Sequence, residues 1–276
     1  MSQNGKRRSG WLRDKFILAA DPKQTDAYAF DVDGLIERLD NKLHKESDVA
    51  ICEHANAKPW LRKKAKLWVG ADRPFETKDL SVVFPKIIGE IYKREKDKEN
   101  LPSLEKYYRK IYCVDDYAKI AENRRLVEGI LRLEENGARV LFYTNGLRWN
   151  VRKILKQVGF DDAFIERSKQ NMYDVIDGVR DGYVKPSREG FQKFLNRFGI
   201  EDPKRVAFFD DGIKNMAEPV KLGVQCFQVW TTHEFRTKGN IEKAEKLGIP
   251  CLSSAAHAVE TIADFRKKLS LPGMKK

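Results

Sequence analysis

No apolar run in this chain approaches the roughly 20 residues that a membrane span needs. Charged residues instead make up 34% of its 276 positions, and the mean hydropathy is -0.59. These features predict a soluble chain with no membrane partner. Cysteine is also sparse: Cys52, Cys113, Cys226 and Cys251 lie far apart. That spacing argues against a disulfide-stapled fold and predicts free thiols in a reducing cytoplasm. His44, Cys52 and His54 lie near one another but match no zinc spacing, and a helix is the reading there. There is no internal repeat and no long low-complexity tract. The first apolar stretch, residues 16–20, is too short for a secretory signal, and Asp14 and Asp21 count against a transit peptide.

What the chain has in excess is positive charge. Its 53 Lys and Arg outnumber 41 Asp and Glu, for a net charge of +12. Such a field attracts anions: phosphorylated metabolites, nucleotides or nucleic acid. Apolar residues at 41% and aromatics at 11% suffice for a substantial core. The length fits one large domain, or a core domain with a smaller partner.

Three regions differ in character. Residues 1–24 form a basic N-terminal extension of net charge +4. Residues 36–116 are charge-dense with helical spacing and predict a helical cap. Phe84, Ile87, Ile88 and Ile91 recur on one helix face, as do Leu104, Tyr107, Tyr108, Ile111 and Tyr112. Pro85 is expected near the start of the first of these helices. Trp60 and Trp68 bracket a run of cations that could grip nucleic acid, but a solvated helix face anchored by two tryptophans is the simpler reading. Residues 25–35 and 117–276 alternate strand and helix. The expected strands are a buried run ending at Phe30, then 139–143, 206–209 and 224–230. Asn136 and Gly137 end one helix, Ser187 caps another, and Val259, Ile262, Phe265 and Leu269 mark the last. Alternation of this kind predicts an α/β fold, a Rossmann-like parallel sheet with helices on both faces, plus the small helical cap domain.

Ligands of such sheets bind beyond the carboxyl ends of the strands. Three expected strands end there in polar residues: Asp31 with Asp33, Thr144 with Asn145, and Asp210 with Asp211. Facing carboxylates repel, and a divalent cation with hard oxygen ligands, Mg²⁺, resolves the conflict. Lys185, the hydroxyl of Thr144 and the backbone N–H groups at Asn145 and Gly34 could surround the oxygens of a phosphoryl group. One carboxylate held on a metal stays ionised and nucleophilic, whereas one away from it can carry a proton.

The set Asp31-Val-Asp33-Gly34-Leu35, Thr144-Asn145-Gly146, Lys185-Pro186 and Asp210-Asp211 followed by Asn215 resembles the four motifs of the haloacid dehalogenase-like hydrolases. The resemblance covers about residues 26–35 and 117–265, and the motifs come in the family's order. It implies a phosphatase acting on a small organic phosphate monoester, in which Asp31 is the aspartyl-phosphate nucleophile and a Mg²⁺ ligand. Asp33 would be the general acid/base, with its carbonyl on the metal. Thr144 would bind the phosphoryl group, and Lys185 would neutralise it together with Asp31. Asp211 would be the second acidic ligand, supported by Asp210 and Asn215. A helical insert between the first two motifs would be the specificity cap. The Asp-Asp form of the last motif is similar to the subgroup containing pyrimidine nucleotidases and epoxide hydrolase phosphatase domains.

The family usually has Thr where this chain has Leu35, and some of its sugar-phosphate mutases are aliphatic there. A phosphomutase is therefore one alternative. A nucleic-acid-binding protein on the same scaffold is the other, motivated by the net charge. The intact acidic set weighs against it, because buried carboxylates without a role are costly.

Overall fold

A computed structural model of the chain describes residues 22–32, 35, 49, 51–70, 73–95, 101, 121–229 and 237–270. Six strands form one sheet: β1 (Ala27–Phe30), β2 (Arg139–Tyr143), β3 (Met172–Tyr173), β4 (Val206–Asp210), β5 (Gln225–Val229) and β6 (Cys251–Leu252). Their order is β3-β2-β1-β4-β5-β6, and every neighbouring pair is parallel. The chain runs outward from β1 through β2 to β3, then returns to place β4 on the other side of β1. The reversal of direction between β1 and β4 is the crevice where an open parallel sheet receives its ligand.

The helices are α1 (Pro59–Arg62), α2 (Ala65–Val69), α3 (Leu80–Arg94), α4 (Ala121–Glu135), α5 (Arg148–Val158), α6 (Asp162–Ser168), α7 (Val175–Asp181), α8 (Arg188–Arg197), α9 (Ala217–Lys221), α10 (Lys238–Leu247) and α11 (Ala255–Ser270). Among the described residues no helix is long and apolar enough to cross a membrane. Every residue of β1 and β4 is buried, as strands covered on both faces require. Because side chains alternate along a strand, each strand contributes to two cores. Tyr28, Phe30, Phe142, Phe209 and Phe227 pack with α4, α5 and α11 on one face. Ala27, Ala29, Leu141, Tyr143 and Phe208 pack with Phe191 and Phe194 of α8 on the other.

A third core lies in the segment between β1 and α4. Ile51, Leu61, Phe75, Val83, Ile87 and Ile91 pack there with Leu147, Val175 and Ile176, which lie at the starts of α5 and α7, beyond the carboxyl ends of β2 and β3. This places the segment beside the ligand-binding edge. Ile87, Ile88 and Ile91 are buried on α3 as their spacing predicts. Pro85 is not in the first turn: it is the sixth residue of α3. The start is set upstream, where Glu76 and Asp79 cap each other's backbone N–H groups and nucleate a 3-10 turn that runs into the helix.

The stretch around Trp60 and Trp68 is two short helices, α1 and α2, rather than one face. Both tryptophans are half-buried against the third core, with the Arg94 guanidinium 4.3 Å over Trp60 and the Lys64 ammonium 5.7 Å from the centre of Trp68. Cys52 and His54 lie in helical residues 51–56 and are buried. Cys52, Cys226 and Cys251 are free thiols, while Cys113 and the expected helix at 104–112 lie outside the described residues. Among the alternating elements, 139–143 is found as predicted, β4 extends one residue further to include Asp210, and β5 spans Gln225–Val229. Ser187 caps α8 by accepting the Gly190 N–H at 3.0 Å. Val259 and Ile262 are buried on α11, and Phe265 is half-buried there.

Candidate active site

The registers of the central strands align the site. Phe30 pairs with Phe142 of β2 and with Phe209 of β4. One residue further along, Asp31, Tyr143 and Asp210 therefore stand level. Strand alternation turns all three toward the α8 face. The ladder continues to this level, since the Asp31 N–H donates to the Phe209 carbonyl at 2.9 Å.

Lys185, on the loop that leads into α8, reaches into this row. Its Nζ donates to Asp31 Oδ1 at 2.8 Å and to Asp210 Oδ2 at 2.9 Å. All three side chains are buried: Lys185 is 4% exposed, Asp31 6% and Asp210 0%. The ammonium also lies 5.0 Å from the centre of the Tyr143 ring and 5.3 Å from that of Phe208. Burial alone would lower the Lys185 pKa. Asp210 and Asp31 outweigh it and raise the value above the ordinary lysine range, so the group stays charged. The Tyr143 phenol is pushed up, first by burial and then by Asp210 and Asp31, and stays neutral.

Asp210 is satisfied on both oxygens. Oδ2 takes Lys185, and Oδ1 accepts from Gly212 N at 2.8 Å and from Asn215 Nδ2 at 2.9 Å. The approach is tight enough that a Cβ at Gly212 would come within 3.0 Å of Asn215 Nδ2, which explains the glycine after the two aspartates. Asp211 is half-buried, and its backbone carbonyl accepts from Gln228 Nε2 at 3.2 Å. Asp31, Asp210 and Asp211 each offer a carboxylate oxygen within 4.8 Å of the others.

Three carboxylates against one ammonium leave this cluster with a net charge of −2, which one divalent cation would balance. The donors are all carboxylate oxygens, the set that suits a hard ion such as Mg²⁺. Asp31, Asp210 and Asp211 are the residues that would hold such an ion, with Asp210 also engaged by Lys185, Gly212 and Asn215.

Thr144 follows β2 and is buried. Its Oγ1 accepts from Gly146 N at 2.8 Å, and its own N–H donates to the Tyr173 carbonyl at 3.1 Å. Asn145 Nδ2 donates to the Lys185 carbonyl at 3.4 Å, linking the two loops. The structure thus brings Asp31, Lys185, Asp210, Asp211 and Asn215 together, with the loop of Thr144 and Asn145 against the Lys185 arm. Asp33 and Gly34 lie outside the described residues. Leu35 is buried in the first core, packed with the apolar face of the sheet.

Sequence reasoning missed Tyr143, Phe208 and Gln228. The two aromatics read as ordinary core residues of apolar strands. Gln228 left a faint signal: a lone amide inside the apolar run 226–229.

A solved structure agrees with this architecture. A hydrolase from Pseudomonas syringae superimposes with a TM-score of 0.50 at 14% identity, over 87% of this chain and 99% of that one. A β-phosphoglucomutase from Clostridium difficile gives a TM-score of 0.49 at 14% identity, over 88% of this chain and 99% of that one. Comparison with curated proteins returns no match. The family model of the haloacid dehalogenase-like hydrolases matches residues 25–219. That span begins just before the strand that delivers Asp31 and ends past the loop of Asp210, Asp211 and Asn215, so the chain belongs to the haloacid dehalogenase-like hydrolase family.

Proposed function

We propose that this protein is a phosphatase that hydrolyses a small organic phosphate monoester through an aspartyl-phosphate on Asp31. The observation that carries the reading is the 2.8 Å contact between Asp31 and a fully buried, charged Lys185, beside a carboxylate cluster with two uncompensated negative charges. Lys185 holds Asp31 by a hydrogen bond at a position from which its free electron pairs can attack phosphorus. The same ammonium would neutralise the equatorial oxygens as the phosphoryl group arrives. The Gly146 N–H orients the Thr144 hydroxyl for a further contact with those oxygens. Asp33 would give a proton to the leaving oxygen and then take one from the water that attacks the aspartyl-phosphate. Mg²⁺, held by Asp31 and Asp211, would add charge neutralisation on the phosphate.

The segment 36–116 is read as the cap that selects the substrate. Supporting this, its core includes Leu147 and Val175, which flank the Thr144 loop and β3. The test is turnover of an aryl phosphate with Mg²⁺. Asp31→Asn should lose about a thousandfold or more in rate, as removal of a covalent nucleophile does, and Asp211→Asn should raise the Mg²⁺ concentration needed. Equal rates for wild type and Asp31→Asn would overturn the assignment.

Leu35, aliphatic where the family usually has Thr, favours a second reading, a phosphomutase. A panel of sugar phosphates separates the two. A phosphatase releases inorganic phosphate, and a mutase leaves it on the sugar.

A further inference from the structure

Beyond the row of Asp31, Tyr143 and Asp210 the structure contains a second buried ionic cluster. Asp174 and Asp177 begin α7 and cap it mutually, and they are 1% and 2% exposed. Asp177 Oδ2 accepts from Arg148 Nη2 at 2.6 Å. Its Oδ1 accepts from Arg180 Nη2 at 2.8 Å and forms an ion pair with Arg197 Nη1 at 2.6 Å. Asp174 accepts the backbone N–H groups of Asp177 at 2.9 Å and of Arg148 at 3.1 Å.

The three guanidiniums come from three helices. Arg148 opens α5, four residues after Thr144. Arg197 closes α8, which begins just after Lys185. Arg180 belongs to α7, the same helix as Asp177, so its ion pair joins no second element. A buried ion pair adds little net stability, because desolvation offsets most of the attraction. A short guanidinium–carboxylate contact does fix direction and distance. One carboxylate therefore ties the helix behind Thr144 to the helix behind Lys185. The direct link between those loops, Asn145 to the Lys185 carbonyl, is a long 3.4 Å bond.

We infer that Asp177 is a positioning residue, which sets the separation of Thr144 and Lys185 through Arg148 and Arg197 so that both meet one phosphoryl group. This rests on the phosphate-site reading above. The experiment measures binding of inorganic phosphate, with Mg²⁺ present, to wild type, Arg148→Ala, Arg197→Ala and Arg180→Ala, together with their urea unfolding. Misplacing a binding group by about 1 Å is expensive, so Arg148→Ala and Arg197→Ala should each weaken phosphate binding about tenfold or more. Arg180→Ala should bind as wild type does. If all three bind like wild type, or all three weaken alike in step with lost stability, the cluster is only a structural ion-pair network and the inference fails. If wild type itself binds no phosphate, the phosphate-site reading falls first and the inference with it.

Discussion

Lys185 is held by opposing forces. Burial penalises its charge, and two carboxylates within 2.9 Å more than repay that penalty. Removing one partner of a buried ionic group leaves the other without compensation, so Lys185→Met should cost about 3–5 kcal/mol. Urea unfolding in metal-free buffer reads this, and Mg²⁺ should recover part of the loss by binding the folded state alone. An unchanged unfolding midpoint would show that Asp31 and Asp210 do not depend on the ammonium. Lys185 could be nominated from the sequence because Pro186 and the spacing to Asp210 single it out among many lysines. Its double pairing could not be read there. Which lysine nitrogen lies between which carboxylates depends on strand register and on the return of the chain to β4, and neither is encoded locally. Asp210 and Asp211 were distinguishable in role only as the family resemblance implied. The engagement of both Asp210 oxygens, by Lys185, Gly212 and Asn215, accords with the supporting role proposed for it.

At the scale of elements, α7 carries the loop of Lys185 and docks against α3 of the insert. Gly178 lets that loop fold back against α7: a Cβ there would lie 2.7 Å from the Tyr183 carbonyl oxygen and 2.8 Å from Val184 Cγ1. The carbonyl is backbone and cannot swing away. Gly178→Ala should cost about 1–3 kcal/mol of stability as overpacking does, and should weaken phosphate binding by displacing the segment that leads to Lys185. Unfolding and phosphate titration of the variant check both, and wild-type values in the two would overturn the close-packing argument. The long elements were legible because they carry enough periods of a pattern: β2 over 139–143, and α3 and α11 through their apolar spacing. β3 and β6 were not, because each is two residues long and has no period. Their strand character comes from pairing with β2 and β5.

The whole molecule carries a pH dependence set by its buried titratable groups. Burial lowers the pKa of His54 from 6.5 to about 4, with Lys58 adding to the effect and Glu95 opposing it. The unfolded chain therefore takes up this proton before the folded one as pH falls. The stability from His54 is complete above about pH 6.5 and is lost on acidification toward pH 4. Asp174 acts oppositely: burial raises its carboxyl despite Arg148, so its contribution is present at low pH and lost as pH rises. Comparing wild type with His54→Asn separates the two. Wild type should lose stability faster between pH 6.5 and 4 in urea unfolding, and parallel curves would overturn the assignment. By itself the sequence determined the α/β class, the order of the four motifs and the acidic chemistry, because these follow from residue type and short-range pattern. Only the tertiary structure decided that Asp31, Tyr143 and Asp210 stand in one row, that Lys185 closes it, and that Asp177 joins the helices behind the two loops. Those facts depend on parallel register and on contacts between residues more than a hundred positions apart in some cases, which no local pattern specifies.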